Sequence, residues 1–76
     1  MKKEQFFTDL AEMLEVDDPI TADTDLSELD EFDSLFIMGM VAYIDKNFSK
    51  KITGNQFANV KTAANLIKLI GEEHFV

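Results

Sequence analysis

The chain has 76 residues, no cysteine and a formal net charge of −8. A chain this short is expected to form one domain, residues 1–76, because a second could not bury a core of its own. The lack of cysteine excludes a disulfide framework and any cysteine-based zinc site, and the acidic balance argues against nucleic-acid binding, which needs a basic face.

A hydrophobic fraction of 46% with seven phenylalanines is enough for a small packed core and too much for a disordered chain. No N-terminal apolar run resembles a signal peptide, and the longest apolar run, residues 35–44, is far too short to span a bilayer. Neither secretion nor membrane insertion is expected, and the cytoplasm is the default location. The charge is unevenly placed. Twelve acids and two lysines precede Ser34, for −10, and three acids and five lysines make up the rest, for +2. Such a field keeps a protein soluble, and it also steers basic partners toward the middle of the chain.

In chain order, residues 3–15 place Phe6, Leu10 and Met13, and again Phe7, Leu10 and Leu14, at helical spacing, with Asp9, Glu12 and Glu15 on the other side. That pattern predicts an amphipathic helix, ended by Val16-Asp17-Asp18-Pro19 because the residue before proline avoids the helical region. From Ile20 to Asp33 no period holds. A long ordered loop is expected there, pinned by Ile20, Leu26, Leu29 and Phe32.

A second helix is expected from Ser34 to about Asn47, with Ile37, Val41, Ile44 and Phe48 as its core face. Asp33-Ser34 supplies a capping side chain at its start. One of the two can cap while the other stays exposed, and the helix end suits an anion, including a phosphate esterified to Ser34. Leu35, Met38 and Ala42 make a second apolar stripe, and Phe36, Gly39 and Tyr43 a third. A helix in so small a bundle cannot bury every side, so some of Leu35, Phe36, Met38 and Gly39 are expected to lie exposed beside Ser34 and mark a partner site. Gly39 is also a point where another element can approach closely.

Ser49-Lys50-Lys51 reads as a polar turn and Ile52 as an inward anchor. Thr53-Gly54-Asn55-Gln56 fits a capping box opening a very short helix that reaches Phe57. Asn59 is then expected to cap a last helix from Val60 to about Ile70, with Val60, Ala63, Ile67 and Ile70 inside and Gly71 as its stop. His74, in the tail, lacks metal-ligand or catalytic spacing and is expected to be solvated and without a role.

The residues hold no catalytic set. No serine sits in a Gly-x-Ser-x-Gly elbow, the single histidine is isolated, and there is no Gly-rich phosphate loop. A calcium loop beginning at Asp23 fails at its sixth position, Glu28, and at its twelfth, Ser34. A helical bundle of this size without catalytic residues is expected to be a carrier or an interaction module, not an enzyme, and to bind no metal.

Over nearly its full length the chain resembles the acyl carrier proteins. Asp33-Ser34-Leu35 matches their Asp-Ser-Leu signature at the start of helix two, with Ile44 and Phe48 at the matching apolar spacing; Asn55–Phe57 fits the short third helix and Asn59-Val60 the approach to the fourth. The resemblance implies an all-α, small four-helix bundle with three main helices, one short helix and a long loop between the first two. It implies a monomer with 4′-phosphopantetheine joined to Ser34, installed from coenzyme A by a magnesium-dependent phosphopantetheinyl transferase (holo-carrier synthase). Asp33 and Leu35 would complete the attachment signature. The arm would bear acyl groups as thioesters for acyl-transferring and ketosynthase-type enzymes.

Two departures refine what the resemblance implies. Glu31 stands where the family commonly has glycine, giving Glu-Phe-Asp-Ser-Leu, close to a form found in specialised carriers. Phe36, Gly39 and Lys46 stand where fatty-acid carriers show acids along helix two. Docking is therefore expected through Phe36, Met38 and Gly39, with Glu28, Asp30 and Glu31 supplying steering, and the pathway is expected to be a specialised lipid, polyketide-like or envelope one. The small residues Ala42, Ala63 and Ala64 could open a cleft for an acyl chain. The same residues admit a peptidyl or aminoacyl carrier, D-alanyl type included, and an unmodified helical interaction domain.

Overall fold

The computed structural model describes every residue from Met1 to Val76. Three α-helices, α1 (Lys3–Leu14), α2 (Ser34–Phe48) and α3 (Ala63–Ile70), pack with a short 3-10 helix at Gly54–Asn59 into a small all-helical bundle, as the resemblance implies. There is no strand; the one isolated bridge joins Asp25 to Thr62.

The core follows from residues four apart on each helix. Phe6, Leu10 and Leu14 of α1 meet Phe36, Met40, Ile44 and Phe48 of α2, while Ala63, Leu66, Ile67 and Ile70 of α3 close the third side. Burying one such large side chain stabilises the fold by about 1.5–3 kcal/mol. The aromatic rings form a connected cluster: Phe6 lies 5.1 Å from Phe75, and Phe48 lies 5.2 Å from Phe75, ring centre to ring centre.

Four expectations change, in whole or in part. On α2 Ile44 and Phe48 are buried as expected, but toward the helix start Phe36 and Met40 are buried in place of Ile37 and Val41, which are only partly so. Either stripe has helical spacing, and packing against α1 and the 3-10 helix selects between them. Secondly, α1 ends where expected, just before Val16, but by another device. Glu15 adopts left-handed backbone (φ 57°), its N–H reaching the Glu12 carbonyl, and the Val16 N–H reaches back to Ala11; this closes the last turn in the way a C-terminal glycine usually does.

Thirdly, α3 starts at Ala63, not Val60, and its cap is Thr62, not Asn59. Thr62 Oγ1 accepts the Asn65 N–H and Asn65 Oδ1 accepts the Thr62 N–H, a reciprocal box that satisfies the helix start. The long loop supplies the next acceptors: Ala63 N–H donates to the Thr24 carbonyl and Ala64 N–H to Ala22. Val60 is buried as an anchor ahead of the helix.

Fourthly, His74 is not simply solvated, because the tail folds onto the core. Phe75 is buried, and half-buried His74 lays its ring 5.7 Å from the Phe48 ring. The Met1 ammonium donates to the His74 carbonyl, and the Val76 N–H to the Met1 carbonyl. Of the three alanines, Ala63 is fully buried in the core and Ala64 half-buried, while exposed Ala42 lines a groove between α1 and α2.

The loop from Ile20 to Asp33 is ordered by Ile20 and Leu26, both buried, and by half-buried Leu29 and Phe32. Leu26 N–H donates to the Lys61 carbonyl at 2.6 Å, tying the loop to the approach to α3. The loop is thus fixed at both ends and in the middle, and it delivers Asp33 to the start of α2. Across α1 and α2, the Tyr43 hydroxyl donates to Asp9 Oδ2. Burial first, then the Asp9 carboxylate, pushes that hydroxyl well above its ordinary range.

Candidate functional site at the start of α2

Asp33 has extended backbone, and its Oδ1 accepts the Phe36 N–H at 2.9 Å. Its carbonyl accepts the Ile37 N–H at 3.0 Å. Both roles of an N-cap are therefore filled by one residue. Ser34, the first residue of α2, is left exposed, and its hydroxyl has no hydrogen-bond partner in the chain. The Ser34 and Leu35 N–H groups, at the orphaned end of the helix, point along its positive pole.

The surroundings of Ser34 are held rigidly from beneath. Phe36 is 6% exposed and packs its ring 5.5 Å from Phe32. This corrects the expectation that Phe36 serves partner docking: its ring anchors α2 to the end of the loop. Beside it, Leu35 is 76% and Met38 69% exposed, the largest apolar side chains left open on α2. Gly39, Glu28, Asp30 and Glu31 are also exposed.

Two grooves flank Ser34. One, of about 350 Å³, runs between the start of α2 and the 3-10 helix and is lined by Phe32, Ser34, Ile37, Phe57 and Val60, with Ser27 at its edge. The other, of about 330 Å³, lies between the end of α1 and α2, among Met13, Glu15, Glu31, Leu35 and Gly39. Met13 and Glu15 were not legible as neighbours of the site. The available signal was Gly39, which faces α1: a Cβ there would meet the Met13 methyl at 3.4 Å, an ordinary contact distance.

The chemistry available to Ser34 is that of an accessible alcohol. The one histidine packs on Phe48, at the far end of a helix about 20 Å long. The Asp33 carboxylate accepts the Phe36 N–H. No side chain hydrogen-bonds the Ser34 hydroxyl, and a transfer to such an alcohol needs a general base and an anion-stabilising site.

Residues 4–70 match the family described as phosphopantetheine attachment site. No curated protein and no solved structure gave a match.

Proposed function

The chain belongs to the phosphopantetheine-attachment family, and on that premise we propose that it is an acyl carrier whose Ser34 bears the arm. Domains of this family carry 4′-phosphopantetheine covalently on a serine, act as carriers rather than catalysts, and are modified by a phosphopantetheinyl transferase before meeting partner enzymes. The arm supplies a terminal thiol, on which cargo rides as a thioester.

The observation that carries the assignment to Ser34 is the division of labour with Asp33. Because the Asp33 carboxylate caps α2, the Ser34 hydroxyl stays free and exposed, beside two N–H donors that suit a phosphodiester. During attachment the Ser34 oxygen bonds to the pantetheine phosphorus of coenzyme A, the phosphorus–oxygen bond to the nucleotide portion breaks, and the serine proton passes to a base of the transferase. Asp33 and Leu35 form the edge that the transferase reads. The chain itself catalyses nothing.

Acyl cargo is favoured by the groove between α2 and the 3-10 helix, whose walls include Phe32, Ile37, Phe57 and Val60. These side chains offer an apolar chain a path from Ser34, and the one carboxylate at the groove, Asp33, already accepts the Phe36 N–H. Partners dock on Leu35, Met38 and Gly39 and are steered by Glu28, Asp30 and Glu31. With acids in the loop and almost none along α2, the enzymes served are those of a specialised lipid or polyketide-like pathway. No helix is long and apolar enough to cross a membrane, and we place the protein in the cytoplasm as a monomeric single domain over residues 1–76.

The test is the cargo itself. Protein recovered from its own cells is treated with hydroxylamine, and the released group is identified by mass spectrometry. A released fatty or polyketide-like acyl group supports the acyl reading; a released amino acid replaces it with an aminoacyl carrier.

A further inference from the structure

Away from Ser34, a groove of about 580 Å³ runs along the outer side of α1 and the segment after it. Phe7, Ala11 and Val16, each half-buried, lie along it with Pro19 and Ile20 at one end. Its rim is made of Glu4, Glu12, Glu15, Asp17 and Asp18, all exposed. No lysine lines it, and the two ion pairs of the fold, Lys51–Asp45 and His74–Glu73, lie elsewhere. The five carboxylates therefore give the groove a negative field over an apolar floor.

We propose that this α1 groove is a second docking surface, for a cationic amphipathic helix of a partner protein. Apolar side chains of such a helix cover Phe7, Ala11 and Val16 while its lysines and arginines meet the acidic rim. Charge selects among occupants. Anionic lipid and nucleic acid are repelled, and a second copy brings a net charge of −8 of its own. Glu15 lines both this groove and the one that reaches Asp33 and Leu35, so a partner seated here can extend to the serine.

The experiment titrates isotope-labelled protein with a 14-residue peptide of leucine and lysine at amphipathic helical spacing, following backbone amide shifts. It is run on Ser34→Ala, which cannot bear the arm, so the outcome does not depend on the carrier reading. The expected result is shifts concentrated on residues 7–20 and binding weakened roughly tenfold by combined Glu12→Lys, Glu15→Lys and Asp17→Lys. Ala11→Gln, which makes the floor polar and leaves the rim intact, is expected to weaken binding as well. Shifts spread equally over Asp23, Asp25 and Asp30, or centred on Leu35 and Met38, overturn the proposal. So does equal binding of an all-lysine peptide, which would reduce the groove to a general acidic field. Sedimentation showing a dimer that the triple variant dissolves would assign the groove to a second copy and overturn it too.

Discussion

The carboxylate of Asp33 sits 2.9 Å from the backbone nitrogen of Phe36, and that single bond frees the neighbouring serine. If Ser34 capped its own helix, its hydroxyl would be turned inward and occupied. Placing the cap one residue earlier lets the chain enter α2 with the hydroxyl outside and the Phe36 ring inside. Asp33→Ala is expected to cost about 1 kcal/mol, and Asp33→Asn much less, since the amide oxygen can still accept. Urea denaturation of the two variants checks the difference. Equal losses would show that charge, not capping, is what Asp33 contributes.

Phe36 and its neighbours on α2 separate core from surface within one turn. Phe36→Ala removes a buried ring packed on Phe32 and is expected to cost about 3–5 kcal/mol. Leu35→Ala and Met38→Ala, on exposed positions, are expected to stay within about 0.5 kcal/mol. Chemical denaturation measures all three. A small loss at Phe36 would mean that the ring turns outward in solution and that α2 is rotated from the orientation described here.

The tail carries an equally sharp expectation. Phe75 closes the aromatic cluster against Phe6 and Phe48, so Phe75→Ala is expected to lower stability by about 3–5 kcal/mol. Val76→Ala, on an exposed residue, is expected to change little. Thermal unfolding of the pair tests whether the tail is part of the core.

Tyr43 gives a spectroscopic handle, because it is the only tyrosine and there is no tryptophan. Its hydroxyl is held protonated by burial and by donation to Asp9, so its ionisation is expected well above its ordinary 10.0. The unfolded chain releases this proton near its ordinary value and the folded chain does not. The associated stability is therefore complete below about pH 10 and falls as pH rises from there through the folded value. Alkaline absorbance titration reads the ionisation directly, and Asp9→Asn is expected to bring it back toward the ordinary range.

How far the sequence could be read depended on whether a pattern was local. Asp33-Ser34 announced a helix start because capping needs only residues a few positions apart, and Asp33 does cap α2. The loop anchors Ile20 and Leu26 were legible as isolated apolar residues in a polar stretch. The α2 register was not, since Phe36-Met40 and Ile37-Val41 are apolar pairs of the same spacing, and the choice lies with residues of α1 far away in the chain. The start of α3 was obscured by Val60, which extends the apolar period backward although it precedes the helix. Thr62 and Asn65 held the local signal there. His74 read as solvated because nothing near it in sequence shows that Phe75 beside it packs on Phe6 and Phe48.

The central claim is that Ser34 takes the arm. The most direct test is intact mass after incubation with coenzyme A, magnesium and a broad-specificity phosphopantetheinyl transferase, with Ser34→Ala alongside. The expected result is a gain of one phosphopantetheine in the parent protein and none in a variant whose fold, by circular dichroism, is unchanged. A gain that survives in Ser34→Ala, on Ser27 or Ser49, would contradict the assignment of the residue, and no gain with several transferases would contradict the carrier function itself.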